Sequence, residues 1–176
     1  MIHKKKLQLI YFTDPLCSTC WAFEPHFRKL KLEYSHLIDV EYKMGGLLQS
    51  WAKYVDPNGK IKQPEDLVEY WNDIGKKSGM SLDGNLWKEN PIASSYPSSL
   101  AFLAAKKLAP EKAENYLRLL RELLFLKNID ISSPKIKIKI AKSLGINPVQ
   151  FEIEVNSKDN LKRFHTDLNE KRRENI

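Results

Sequence analysis

Two cysteines, Cys17 and Cys20, stand three residues apart where a short apolar run gives way to a helical pattern, and nothing else in the chain constrains the fold so tightly. The run Leu7 to Phe12 is short, largely apolar and ended by Thr13-Asp14-Pro15, which predicts a buried strand followed by a loop. Cys17 to Tyr34 then reads as a helix. Phe23, Phe27, Leu30 and Tyr34 recur at helical spacing and are expected to share one buried face. Pro25 lies inside this helix, where its ring removes a backbone hydrogen bond and is expected to bend the axis. Ile38 to Met44 alternates apolar and polar residues as a second strand, closed by Gly45-Gly46. A strand, a helix and a strand of these lengths form a right-handed βαβ unit with parallel strands.

That context gives the cysteines a chemistry. A bridge between residues three apart closes a very small loop and restrains the unfolded chain little, which disfavours a purely structural disulfide. Cys17 falls at the helix N-terminus, where free backbone N–H groups and the positive end of the helix dipole stabilise an anion. A thiolate there forms at lower pH than a free thiol, and the thiolate is the species that attacks disulfides. Cys20, one turn on and expected to be shielded, is placed to resolve a mixed disulfide. Ser18 and Thr19 lie between the thiols; their hydroxyls either hydrogen-bond a thiolate or cap the helix. Trp21 follows directly and either covers the sulfurs or packs in the core. A metal site would need two more ligands, and the sequence supplies no such pattern, so no metal and no cofactor are expected. His26, nine residues after Cys17, is expected to be exposed, and His3, His36 and His165 have no partner pattern.

The chain has 176 residues, a net charge of +7 and 42% apolar residues, enough for a real core. The lysines are spread along the chain among acidic residues and no nucleic-acid motif accompanies them, so nucleic acid is not an expected partner. No apolar run reaches the roughly 20 residues of a membrane span. The N-terminal Met1 to Lys6 is basic, but the apolar stretch after it is too short for a signal peptide, and a cytoplasmic location is expected.

After Gly46 the character changes. Residues 47–66 are irregular, with a turn at Asp56-Pro57-Asn58-Gly59. Helices are predicted at Pro64–Ser78, Ser98–Leu108 and Pro110–Leu126, with Leu82–Pro97 as a loop. In Pro134–Leu144, Ile136, Ile138 and Ile140 alternate with lysines as in a strand, yet Ser132-Ser133-Pro134 starts and Leu144-Gly145 stops a helix, and helix is the expectation. Pro148–Asn156 reads as a short helix or turn. Ser157–Arg173 reads as a charged amphipathic helix with Leu161, Phe164 and Leu168 on one side. This divides the chain into a βαβ segment (1–46), a helical insertion (47–156) and a returning C-terminal helix (157–176). The aromatic set Trp51, Tyr54, Trp71 and Trp87 either packs the insertion or offers a protein-binding surface.

The block Asp14-Pro15-Leu16-Cys17-Ser18-Thr19-Cys20-Trp21 resembles the active-site segment of cytoplasmic DsbA-like proteins of the thioredoxin superfamily. Pro25 matches the kinking proline of their active-site helix. Met44-Gly45-Gly46-Leu47, Ala93-Ser94-Ser95-Tyr96-Pro97 and Tyr116 to Glu122 look like later blocks of the same group. The group includes FrnE-like oxidoreductases, disulfide isomerases and an adaptor that delivers the regulator Spx to the ClpXP protease. The related kappa-class glutathione transferases and chromene-carboxylate isomerases carry Ser where Cys17 stands. The resemblance implies an α/β thioredoxin-like fold in which a βαβ unit carries a mainly helical insertion. Such relatives also place a cis-proline ahead of a C-terminal strand hairpin. No proline follows Pro148 here, and Pro97 precedes a helix, so the hairpin is expected to be missing and the sheet incomplete, the chain being a C-terminally truncated fragment, a reduced variant, or one whose sheet a partner completes.

Two functions follow as expectations. In the first, Cys17 and Cys20 are the catalytic pair of a thiol–disulfide oxidoreductase or isomerase acting on protein or small disulfides, with Asp14, Pro15, Ser18, Thr19, Trp21 and Pro25 around them. In the second, the chain is an adaptor or redox sensor that holds a protein partner, and the cysteines are regulatory or dispensable.

Overall fold

The computed structural model describes residues 6–176 apart from residue 57. The basic lead Met1 to Lys5, with His3, and the Pro57 corner of the turn at 56–59 lie outside the described residues.

Strand β1 (Leu7–Thr13) leads into helix α1 (Ser18–Tyr34), which returns the chain to β2 (Ile38–Met44). The strands pair in parallel with Tyr11 opposite Tyr42 and Thr13 opposite Met44, giving a two-stranded sheet. Phe27 of α1 packs on this sheet, its ring 4.4 Å from Tyr11 and 6.0 Å from Tyr42. The predicted face of α1 is only partly buried: Phe27 is covered, whereas Phe23 and Tyr34 are 46% and 45% exposed. A two-stranded sheet is too narrow to cover a helix of 17 residues from end to end. The helix runs unbroken through Pro25, which lies on its exposed side.

Beyond a short 3₁₀ turn at Trp51–Lys53 come α2 (Asp66–Ser78), the single-turn α3 (Leu86–Glu89), α4 (Tyr96–Leu108) and α5 (Ala113–Lys127). Then follow α6 (Pro134–Ser143), α7 (Pro148–Val155) and α8 (Lys158–Arg173). Prolines occupy the first turns of α4, α6 and α7, where a missing N–H costs nothing. The isoleucine–lysine alternation of 136–140 therefore resolves as helix, with Ile140 buried. Segment 82–97 is not all loop, since it holds α3 and the start of α4.

The larger core joins the helices to Leu16, Trp21 and Leu48. A second cluster gathers Met44, Phe102, Leu117, Phe164 and Leu168, and docks α8 beside the end of β2. Three polar contacts fasten that end. Asp167 accepts from the Met44 amide at 2.9 Å, Lys171 donates to the Gly45 carbonyl at 2.9 Å, and Lys43 pairs with Glu170. Gly46 lies between them at φ 61°, and a Cβ there would meet Leu168 and Tyr96. On α8 the buried row is Asn160, Phe164 and Leu168, while Leu161 is exposed. Asn160 displaces it because its side-chain amide donates to the carbonyls of Leu100 and Val155 at 2.9 and 3.3 Å. No helix among the described residues is long and apolar enough to cross a membrane.

Candidate functional site

The loop between β1 and α1 is held from below. Asp14 is buried, and both its oxygens are used: one accepts from the Leu16 amide at 2.9 Å, the other from the Leu47 amide and the Ser95 hydroxyl, each at 2.8 Å. One carboxylate thus ties the cysteine loop to the segment after β2 and to the start of α4. Beneath it lies Arg121 of α5, 1% exposed, which donates to Glu24 of α1, the Thr13 hydroxyl and the Asp14 carbonyl. Arg121 joins β1, α1 and α5 in a single polar knot.

On this platform Cys17 is the residue before the first turn of α1, in extended conformation, and its Sγ accepts from the Cys20 amide at 3.1 Å. The cap of the helix is therefore the cysteine itself, not Ser18 or Thr19. Cys17 and Cys20 form a disulfide with Cα atoms 5.2 Å apart, within the usual span for such bonds. Cys17 and Cys20 are both half-buried. Ser18 is buried and Thr19 exposed, and neither hydroxyl bonds a sulfur among the described residues. Trp21 belongs to the core: it stacks on Phe125 at 5.7 Å and donates its indole N–H to the Ser81 carbonyl at 3.1 Å. Pro15 is buried beside Asp14, and His26 is exposed, as are His36 and His165. No group of three or more His, Cys, Asp or Glu suited to a metal ion occurs among the described residues.

Sequence reasoning placed Asp14 near the site but missed what holds it. Ser95 and Arg121 lie far along the chain, within the resembling blocks Ala93–Pro97 and Tyr116–Glu122, and a further signal was a basic residue within the apolar stripe Leu117, Leu120, Leu124 of α5. Sequence also left the aromatic set undecided. Trp71 and Trp87 are 1% exposed, and with Trp51 and Tyr54 they wall a cavity that opens beside Cys17.

Burial pushes the Asp14 carboxyl above its ordinary value of 3.8, against opposing hydrogen bonds and the pull of Arg121. The native state then binds this proton more tightly than the unfolded chain. The stability linked to Asp14 is complete below its ordinary pKa and declines as pH rises through the folded value. Asp14→Asn, which carries no titrating proton, is expected to flatten this decline. Urea midpoints compared between about pH 4 and pH 7 check it, and parallel curves for the two proteins would refute it.

The family model described as Thioredoxin matches residues 11–173. A curated protein of Halalkalibacterium halodurans, named ClpXP adapter protein SpxH, is 36% identical over 165 residues, covering 94% of this chain and 54% of its own length. The Bacillus subtilis protein of the same name is 30% identical over 167 residues, with 94% and 54% covered. The chain thus spans about half the length of the curated relatives it matches. Among solved structures, a Nitrosomonas europaea protein provisionally assigned as a disulfide isomerase superposes with a TM-score of 0.82 at 22% identity, covering 98% of this chain and 81% of that one. The cytosolic disulfide reductase DsbM of Pseudomonas aeruginosa gives a TM-score of 0.74 at 19% identity, with 95% and 79% covered. These structural likenesses carry the fold: a mixed α/β thioredoxin-like fold, with a helical insertion and the Cys17–Cys20 pair at its first helix.

Proposed function

The chain belongs to the thioredoxin family, and from that premise we propose that it exchanges disulfides with other polypeptides through Cys17, with Cys20 resolving the intermediate. The observation that carries this reading is the position of the Cys17 sulfur at the helix cap, where the Cys20 amide already points at it. In the reduced protein the same amide and the helix N-terminus stabilise the Cys17 thiolate. That thiolate attacks a substrate disulfide, forming a Cys17–substrate bond and releasing one substrate thiolate, which takes a proton from water. The Cys20 thiolate then attacks the Cys17 sulfur. The Cys17–Cys20 bond forms, the second substrate sulfur leaves as a thiolate and takes up a proton equivalent to the one Cys20 released to solvent, and the substrate has gained the two electrons the protein lost. Run backwards from the disulfide form, the same steps oxidise a substrate dithiol. The direction follows from the potential of the pair relative to the substrate. The proposal includes a cytoplasmic location, the compartment named for the structural neighbour DsbM.

Cys20→Ser is expected to accumulate a mixed disulfide with a disulfide-bearing peptide, visible as a mass increase that dithiothreitol removes. Cys17→Ser is expected to lower exchange to the no-protein background. Exchange at the native rate by Cys17→Ser would overturn the reading.

A second reading is favoured by the relatives named as adapters of ClpXP. In it the chain holds a protein partner, and its cysteines tune or merely accompany binding. Capture of the same partner by the protein and by its Cys17→Ser/Cys20→Ser variant, together with no exchange by the unmodified protein, is the outcome expected of that reading alone.

A further inference from the structure

Next to the Cys17 sulfur the fold leaves a cavity of about 750 Å³, counting its open mouth. One end is formed by Cys17, Ser18 and Leu48. The depth is aromatic: Trp71 meets Trp87 edge-on at 5.2 Å, and Trp87 meets Trp51 edge-on at 5.8 Å. Trp51 is fixed by an indole hydrogen bond to the Ile92 carbonyl at 3.0 Å. The walls are thus packed ring on ring. At the rim, Leu47 and Tyr70 are 46% and 44% exposed, an apolar margin left uncovered.

The charges on the lining select among occupants. Lys60 is the one cation and Asp56 the one anion among the described lining residues, and the Asp56 carboxylate is already engaged by the Lys60 and Ile61 amides at 2.7 and 3.1 Å. A small charged thiol compound, with two carboxylates and an ammonium, finds too few partners here and would leave ionic groups against indole rings. An apolar side chain meets Leu48, Leu67 and the rings of Trp51, Trp71 and Trp87 along this lining.

We propose that this cavity receives a large apolar side chain, aromatic or branched aliphatic, lying close in sequence to the cysteine of a polypeptide substrate. The proposal rests on the thiol-exchange reading and adds its substrate class. Seating that side chain positions the neighbouring cysteine on Cys17, so the preference is expressed in the exchange rate.

The test uses the full chain and two synthetic peptides with an intramolecular disulfide, identical except for Phe or Ser beside one cysteine. Glutathione disulfide is the third substrate. The Phe peptide is expected to exchange at least about tenfold faster than the Ser peptide or glutathione disulfide. Leu47→Asp at the exposed rim, and separately Tyr54→Asp, are expected to shrink the Phe:Ser ratio to about threefold or less. A native ratio within about twofold, or a ratio unchanged in both variants, would overturn the proposal. Glutathione disulfide reacting as fast as the Phe peptide would overturn the polypeptide assignment. Binding is read independently, by quenching of tryptophan emission with the same peptides carrying Ser in place of both cysteines. If no disulfide exchanges while the Phe peptide alone still quenches, the pocket stands and the thiol reading falls. If all disulfides exchange equally, the thiol reading stands and the pocket falls.

Discussion

Replacing Arg121 with alanine is expected to destabilise the protein by about 3–5 kcal/mol, the usual cost of breaking a buried ion pair from one side. The guanidinium is 1% exposed, and its partner Glu24 is 12% exposed, so neither is served by bulk water. Removing the arginine strands the Glu24 carboxylate and leaves the Thr13 hydroxyl and the Asp14 carbonyl short of a donor. It also opens a void between α1 and α5. Against a total stability on the order of 5–15 kcal/mol, such a loss is a fifth or more of the whole and brings a domain at the low end of that range to its unfolding midpoint. Guanidinium titration of the variant measures the loss, and a change under about 1 kcal/mol would refute the structural role assigned to the residue. Adding Glu24→Gln is expected to recover part of the loss, because the stranded charge disappears; strict additivity of the two changes would contradict their coupling.

The second large effect is expected at Trp71, where alanine should cost about 3–5 kcal/mol as a large-to-small core substitution. Its ring sits between Trp87 at 5.2 Å and Phe125 at 4.9 Å, and Phe125 in turn stacks on Trp21, the residue after Cys20. Trp71 is the middle member of a row of rings reaching from the cavity to the cysteine helix. Trp71→Phe keeps part of the contact surface and is expected to recover more than half of the loss. Denaturant unfolding of both variants checks this: equal losses would refute the recovery by phenylalanine, and a loss under about 1 kcal/mol in Trp71→Ala would show that the row does not bear on stability. Near-ultraviolet circular dichroism is expected to weaken in Trp71→Ala, since that signal depends on fixed aromatic neighbours.

The βαβ unit was legible because its signals are local. The apolar run of β1, the alternation of β2 and the cysteines between them each depend on a few adjacent residues. The Gly46 corner and the prolines of α4, α6 and α7 were legible for the same reason. Burial was less so. Phe23 and Tyr34 have the spacing of a core face, yet the sheet is too narrow to cover them, and spacing cannot report sheet width. Leu161 lost its expected place to Asn160, because two distant carbonyls reward an amide there, and no local pattern announces them. The site shows the same division. Asp14 could be singled out, but its partners Leu47, Ser95 and Arg121 come from three later segments. Their convergence is a property of the packed chain.

The end of β2 is closed by residues made more than a hundred positions later. Met44 is fully buried, and its cover is supplied by α8, whose Asp167, Glu170 and Lys171 fasten the Lys43–Gly45 segment. Synthesis runs in the other direction. While the chain emerges, the strands and the cysteine helix precede this cover by the whole length of the insertion, a delay of roughly ten seconds at ordinary translation rates. During that interval the Met44 end of the sheet lacks the cover that α8 supplies. The closed end of the sheet is therefore completed only once α8 has been made, whereas the Asp14–Ser95–Arg121 platform under Cys17 draws on segments made earlier.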